Sequence, residues 1–243
     1  MKLSLELVPE DWKTAIAVVA HPDDLEYGAA SAIARWTSQG KKIIYVLVTD
    51  GEAGIDGMSP EEAGPLRREE EIRSAAVVGV DTVEFLGHPD GLVEASLDLR
   101  RDLSAAIRRH QPDCIISMNF RETWGRPSWN HVDHRNLGPA LLDSTRDAAN
   151  RWVFTELLDE GLEPWAGVRM ALFAGSPDPT HAVDVDDFID VGIASLKEHH
   201  VYLDALPEGT TGKDPEPFLR AMAGATGPRI DVDYAASFEL IPL

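Results

Sequence analysis

The 243 residues carry 42 acidic against 22 basic side chains, a formal net charge of −20, which argues against a nucleic-acid or anionic-membrane binder. With 44% hydrophobic and 26% charged residues the chain reads as a soluble globular protein, long enough for one larger α/β domain or two small ones. Its single cysteine, Cys114, excludes an internal disulfide framework and a zinc site built from several thiolates, so any metal must be held by His and carboxylate.

Residues 1–13 (MKLSLELVPEDWK) mix charge every few positions and lack the apolar stretch of a targeting segment, and no run approaches membrane-spanning length. A cytoplasmic protein without membrane insertion is expected. Residues 15–20 (AIAVVA) form a continuous apolar run, the pattern of a strand buried on both faces. From Leu25 the apolar positions Leu25, Ala29, Ala32, Ile33 and Trp36 keep helical spacing, and Gly40 supplies a stop. Residues 43–48 (IIYVLV) are a second buried run, so the first 50 residues contain a βαβ unit with parallel strands.

The alternation continues with a helix over 61–78, a strand over 83–86, a helix over 99–109, a strand over 113–118, a helix over 137–149 and a strand over 168–174. The final third differs: Asp and Pro are dense over 176–187, a helix is predicted over 185–206, a Gly/Pro-rich stretch reaches Pro217, and a strand closes near 230–240. The predicted fold class is α/β, a Rossmann-like and mostly parallel sheet with helices on both faces. Residues 1–243 are read as a single domain, with a core over about 13–175 and a C-terminal elaboration over about 176–243.

Ligands of an open parallel sheet bind beyond the carboxyl ends of its strands. The strand ends here read His21-Pro22-Asp23-Asp24, Thr49-Asp50-Gly51-Glu52, Gly87-His88-Pro89-Asp90, and a long segment from Asn119 that ends at His131-Val132-Asp133-His134. Three of the four carry His together with Asp, in a chain with 8 histidines. The plainer account of the first motif is a turn with Asp24 capping the next helix, and of the last a polar helix start capped by Asp133. The functional account places His21 and Asp24 on one metal and leaves Asp23, held beside it by the rigid Pro turn, with a free carboxylate. Together the motifs offer two histidines and one carboxylate with positions left open, the ligand set of catalytic zinc and equally of non-haem Fe(II). A spare Asp and a spare His beside a metal point to hydrolysis.

These residues resemble a known family. Ala20-His21-Pro22-Asp23-Asp24, Thr49-Asp50-Gly51-Glu52-Ala53-Gly54, Leu66-Arg67-Arg68-Glu69-Glu70-Glu71, Phe85-Leu86-Gly87 and His131-Val132-Asp133-His134 look like the LmbE-like/PIG-L N-deacetylases. The likeness spans about 15–149, with a weaker echo over 181–199. It implies that His21, Asp24 and His134 are metal ligands, that Asp23 is the general base, and that His131 stabilises the oxyanion with Asp133 orienting it. Arg68 and Asp90 align with sugar-contacting positions. The chain departs from many members in having Leu25-Glu26 after the paired Asp and Trp129-Asn130 before the last motif, and its segment 119–130 (NFRETWGRPSWN) differs from the mycothiol enzymes.

The resemblance therefore implies a hydrolase dependent on Zn2+, or on Fe2+ or another divalent metal, that removes an N-acetyl group from a small N-acylated amino sugar or related conjugate, in a homo-oligomer. Asp23 would take a proton from an activated water, and a protonated His131, its pKa raised by Asp133, would stabilise the oxyanion. An amidase for larger amides is the alternative within the enzymes. A non-catalytic Rossmann-like binder of nucleotide or sugar is the alternative outside them, disfavoured because the first turn lacks Gly-x-Gly-x-x-Gly and its acids would repel pyrophosphate.

Weaker signals have plainer readings beside them. Arg67 and Arg68 are solvated helix charges or a clamp for hydroxyl or phosphate. Trp124 and Trp129 pack simply or stack on a sugar, Trp129 being the candidate substrate contact. His181, His199 and His200 pack against helices or complete a pocket, their own or a neighbouring subunit's. Asp184, Asp186, Asp187 and Asp190 lack the spacing of a calcium loop and read as acids at a helix start.

Overall fold

The computed structural model describes residues 4–243, so the first three residues of the charged N-terminal stretch lie outside it. In chain order the elements are β1 (Glu6–Leu7), β2 (Thr14–Val19), α1 (Ala30–Ser38), β3 (Lys42–Leu47), α2 (Pro60–Val77), β4 (Val83–Phe85), α3 (Leu97–His110), β5 (Cys114–Met118), α4 (Val132–Ala149) and the short α5 (Glu156–Asp159). The C-terminal third adds β6 (Met170–Ala174), β7 (His181–Asp184), α6 (Ile189–Lys197), α7 (His200–Ala205), α8 (Pro215–Thr226) and β8 (Ala235–Pro242). One sheet takes all the strands in the order β1-β7-β8-β6-β5-β2-β3-β4. Every pair is parallel except those that β8 makes with β6 and β7. The three strands of the final third thus extend the N-terminal sheet, and the fold is the expected single α/β domain.

The unbroken apolar reading of β2 follows from its place between β3 and β5 with helices on both sides. Ala15, Ala17 and Val19 face one core with Ile33 and Trp36 of α1 and Ala75 of α2. Ile16, Val18 and Ala20 face the other with Leu103 and Ile107 of α3 and Leu141 of α4. Full burial of Ile16 or Val18 stabilises the fold by about 1.5–3 kcal/mol each. Local signals set the helix starts: Pro60 opens α2 while Glu62 accepts from the Ser59 backbone N–H at 3.3 Å, and the Ser96 hydroxyl accepts from Leu99 N–H at the head of α3.

The structure differs from the sequence reading in four places. The helix expected from Leu25 starts only at Ala30, because Asp23 takes φ +89° and the chain turns through residues 22–29 first. The helix expected over 185–206 divides into α6 and α7 at His199. The end of the Gly/Pro-rich stretch opens α8, unforeseen in the sequence reading, whose Pro215 stands at the first turn, where its missing N–H costs nothing. The Asp/Pro-dense stretch yields the four-residue strand β7, too short to show a period. Among the described residues no helix is long and apolar enough to cross a membrane.

Candidate metal centre and active site

The carboxyl ends of β2, β3, β4 and β5 and the start of α4 converge on one cavity of about 780 Å³. His21 and Asp24 lie in the turn after β2, where the His21 backbone N–H donates to Asp24 Oδ2 at 2.9 Å and fixes the Asp24 carboxylate against the turn. His134 comes from the first turn of α4. Its Nε2 is 3.0 Å from Asp24 Oδ1 and 3.2 Å from His21 Nδ1, and His21 Nδ1 is 3.5 Å from Asp24 Oδ2. One ligand atom from each of the three residues lies within 4.8 Å of the other two, close enough to surround one small divalent cation at bonds of about 2.0–2.2 Å.

The far nitrogen of each imidazole is already engaged, which fixes the tautomers. Asn130 Nδ2 donates to the carbonyls of Asn119 and Arg121, so its Oδ1 faces His134 Nδ1 at 3.0 Å and must accept from it. His21 Nε2 lies 3.2 Å from Asp133 Oδ2 and 3.1 Å from Asp90 Oδ1 and must donate. The lone pairs of His134 Nε2 and His21 Nδ1 are therefore directed at Asp24, the arrangement in which outer carboxylates and amides orient metal-binding histidines. A second group, His21, His131 and Asp133, is less apt, since Asp133 is occupied by the N–H groups of Gly91 and Val93 at 2.8 and 3.2 Å.

The electrostatics favour positive charge at this point. Burial opposes ionisation of Asp24, yet His134 and His21 outweigh it and hold the carboxyl far below its ordinary range. Burial likewise opposes protonation of His21, yet Asp24, Asp133 and Asp90 raise it well above its ordinary value. A cation bound here would supply that charge in place of the proton.

Asp23 is treated differently although it is adjacent in sequence. Burial pushes its carboxyl up to about 6, against the pull of Arg67. Arg67 Nη2 donates to Asp23 Oδ1 at 3.0 Å, while Glu71 Oε2 accepts from the Asp23 N–H at 3.1 Å. The left-handed backbone of Asp23 costs about 1–3 kcal/mol and separates its carboxylate from that of Asp24. Arg67 also donates to the Gly51 carbonyl at 3.1 Å and to the Pro22 carbonyl at 2.5 Å, tying α2 to two strand ends.

His131 lines the cavity with its side chain half exposed. Its Nδ1 accepts from the Asp133 N–H at 3.2 Å, which leaves the proton on Nε2. The Asp133 carboxylate is 3.9 Å from that Nδ1, beyond hydrogen-bond reach, and sits behind His21 instead. Burial and His21 lower the His131 pKa despite the opposing pull of Asp133, where the sequence reading expects Asp133 to raise it.

The remaining sequence candidates are placed as follows. Asp90 lines the cavity between His21 and the Ala53 N–H, which donates to its Oδ2 at 2.9 Å. Arg68 pairs with Asp50 at 3.1 Å on the surface, its guanidinium 4.2 Å above the Phe85 ring. Trp129 is 62% exposed and carries the Arg135 guanidinium at 5.0 Å, whereas Trp124 lines the cavity edge-on to His134 at 5.8 Å. His181 pairs with Glu6 at 3.7 Å and His200 is exposed. His199 is fully buried behind Asp23.

Sequence reasoning missed Arg67 as the partner of Asp23, Asn130 behind His134, and the far side of the cavity. That side is formed by Tyr202 and Leu206 of the α7 region, Thr210, Thr211, and Phe218 and Met222 of α8. Tyr202 lies under the Arg67 guanidinium at 4.1 Å. Of these only Arg67 shared in a usable sign, that of two adjacent cations, Arg67 and Arg68, on the helix after a strand end, with nothing in the sequence to tell which one turns inward.

The chain matches the PIG-L family, described as GlcNAc-PI de-N-acetylase, over residues 16–144. It is 28% identical, over 96% of its length and 84% of the relative's, to a Thermococcus kodakarensis protein named diacetylchitobiose deacetylase. The solved N,N'-diacetylchitobiose deacetylase of Pyrococcus horikoshii superposes with a TM-score of 0.85 at 28% identity, covering 96% of this chain and 85% of that one. A 4-oxalmesaconate hydratase of Pseudomonas putida is 29% identical over 46% of each chain. With more than half of its residues matched, and the paired Asp and the His131 to His134 motif inside the match, the chain belongs to the PIG-L family.

Proposed function

We propose that this chain is a divalent-metal-dependent deacetylase that hydrolyses the N-acetyl group of an amino sugar or a related small conjugate, with Asp23 as general base. The observation that carries the reading is the division of labour within Asp23-Asp24. Asp24 is held ionised by the two histidines, His134 and His21, whereas Asp23 is kept off that centre by Arg67 and Glu71 with its carboxyl pushed up to about 6. The relatives named as diacetylchitobiose deacetylases support the substrate class.

His21, Asp24 and His134 would hold the cation, zinc by donor type with Fe2+ also suited. When bound, it would supply positive charge that acidifies a water and polarises the acyl oxygen. Asp23 accepts the water's proton on its carboxylate, ionised at neutral pH yet basic enough for the task. His131, neutral and protonated on Nε2, donates to the acyl oxygen as negative charge builds there. The proton on Asp23 then passes to the departing nitrogen, the C–N bond breaks, and acetate and a free amine result. Arg67 holds Asp23 in place throughout, and Trp124, Tyr202 and Phe218 offer aromatic surface to a sugar ring.

The test is release of amine and acid from a panel of N-acetylated mono- and disaccharides, with Zn2+, Fe2+ and Mn2+ supplied separately. Equal release of acetate and primary amine is the expected result. Release of a bulkier acid in preference to acetate would move the reading to a larger amide, and water addition to an unsaturated diacid without amine release would place the chain with the hydratase relative. Binding of sugar with no turnover of any amide would overturn it.

A further inference from the structure

Behind Asp23 lies a second cluster of metal-type donors, of which the proposed mechanism uses only Glu71, as the acceptor of the Asp23 N–H. Glu26 follows the paired Asp, Glu71 is on α2 and His199 is at the joint between α6 and α7; their side chains are 0% exposed. Neither ring nitrogen of His199 has a hydrogen-bond partner, and Glu26 Oε2 and Glu71 Oε1 also lack one. His199 Nε2 faces both carboxylates, 3.8 Å from Glu26 Oε2 and 3.6 Å from Glu71 Oε2, and one ligand atom from each residue lies within 4.8 Å of the others.

We propose that Glu26, Glu71 and His199 form a second divalent-cation site, buried and structural, that braces Asp23 from behind. Hydrogen bonds within the cluster would need separations of about 2.7–3.2 Å, and the observed ones are longer. Ligands bonded to a shared cation at about 2.1–2.3 Å in tetrahedral geometry stand about 3.4–3.8 Å apart, which matches.

Charge points the same way. Two carboxylates enclosed together without water repel, and burial and Glu26 raise the Glu71 carboxyl well above its ordinary range. A cation between them offsets that cost. Tyr45, buried with its hydroxyl unpartnered, lies within electrostatic reach of both acids. A donor set of one imidazole and two carboxylates suits Zn2+, Mn2+ or Fe2+. Both carboxylates are held in place: Ser74 Oγ donates to Glu26 Oε1 at 2.7 Å, and Glu71 Oε2, the oxygen that faces His199, also accepts from the Asp23 N–H at 3.1 Å. The cation would tie α2, the α6 to α7 joint and the turn of Asp23 together.

Metal content per chain, measured by mass spectrometry on protein purified from cells supplied with zinc, manganese and iron, tests this. Two equivalents are expected, one removed by a soluble chelator and the other retained until the chain is unfolded. His134→Ala should keep the chelator-resistant equivalent, while His199→Ala and Glu71→Gln should lose it and keep the other. The proposal is overturned if wild-type protein never holds a chelator-resistant equivalent, or if His199→Ala still holds it. The wild-type count decides even where a variant does not fold. Because the cavity equivalent is read separately through His134→Ala, failure of the second site leaves the proposed activity standing, and the reverse.

Discussion

The two sides of the cavity are built on different principles. The side from residues 21–134 consists of charged groups whose polar atoms are held by several partners: Asp24 between two histidines, His134 backed by Asn130, His21 backed by Asp133 and Asp90, Asp23 gripped by Arg67. The side from residues 202–222 presents Tyr202, Leu206, Thr210, Thr211, Phe218 and Met222, apolar surface with two small hydroxyls. It meets the first side through a few contacts, such as the Tyr27 hydroxyl donating to the Gly212 carbonyl at 3.2 Å and the edge-on Tyr27 and Phe218 rings at 5.8 Å. Chemistry needs fixed angles and takes them from strand ends, while binding a sugar needs area, which helices and a loop can supply.

If that contrast is right, changes on the first side act on turnover and metal, and changes on the second act on substrate affinity. Asp23→Asn should give the largest effect on kcat, a fall of about 10²–10⁴-fold with KM and metal content close to wild type. Steady-state kinetics combined with metal analysis measure it. Near-normal hydrolysis by that variant would remove Asp23 as base and with it the asymmetry of the pair. Asn130→Ala leaves the ligands in place but frees the His134 ring, so metal affinity should weaken by about 10–100-fold, read by chelator competition.

How much was legible divides along the same line. His21, Asp23, Asp24, Asp133 and His134 stand directly after apolar runs or at a helix start, so position along the chain already placed them in one region. Arg67 and Arg68 are neighbours in a stretch of charges, and only the docking of α2 decides that Arg67 turns inward to Asp23 while Arg68 pairs with Asp50 outside. A helix that buries Arg67, Glu70 and Glu71 has no apolar stripe to read. Asn130 is one polar residue in a loop, and its value lies in two carbonyls 9 and 11 residues upstream that orient its amide. Tyr202 and Phe218 enter the cavity only because the predicted helix breaks at His199 and α8 starts at the end of the Gly/Pro stretch.

The second side should answer in KM. Removing the Phe218 ring as Phe218→Ala takes away apolar contact area and one partner of Tyr27, so KM should rise about tenfold while kcat stays within about threefold. A matching fall in kcat, with KM unchanged, would mean that this side shapes the reacting centre and the contrast is wrong.

The smallest expected effect concerns how the loops between the two sides are pinned. Glu239 of β8 accepts from Arg121 Nε at 3.1 Å and from Ser176 Oγ at 2.6 Å, joining the segment that carries Trp124 to the residue after Gly175. Burial alone would raise the Glu239 pKa, but the hydrogen bonds from Arg121 and Ser176 outweigh it and leave it below its ordinary 4.5. A carboxyl depressed in the folded state contributes stability that is fully present above the unfolded pKa and is lost as pH falls through the folded one. Glu239→Gln should therefore lower Tm by about 2 °C or less at pH 7, and the gap from wild type should close as pH drops below about 4.5. Thermal melts across that range check the sign. A gap that widens in acid would show that Glu239 is not held ionised by Arg121, and that the loop carrying Trp124 is fixed by its apolar packing instead.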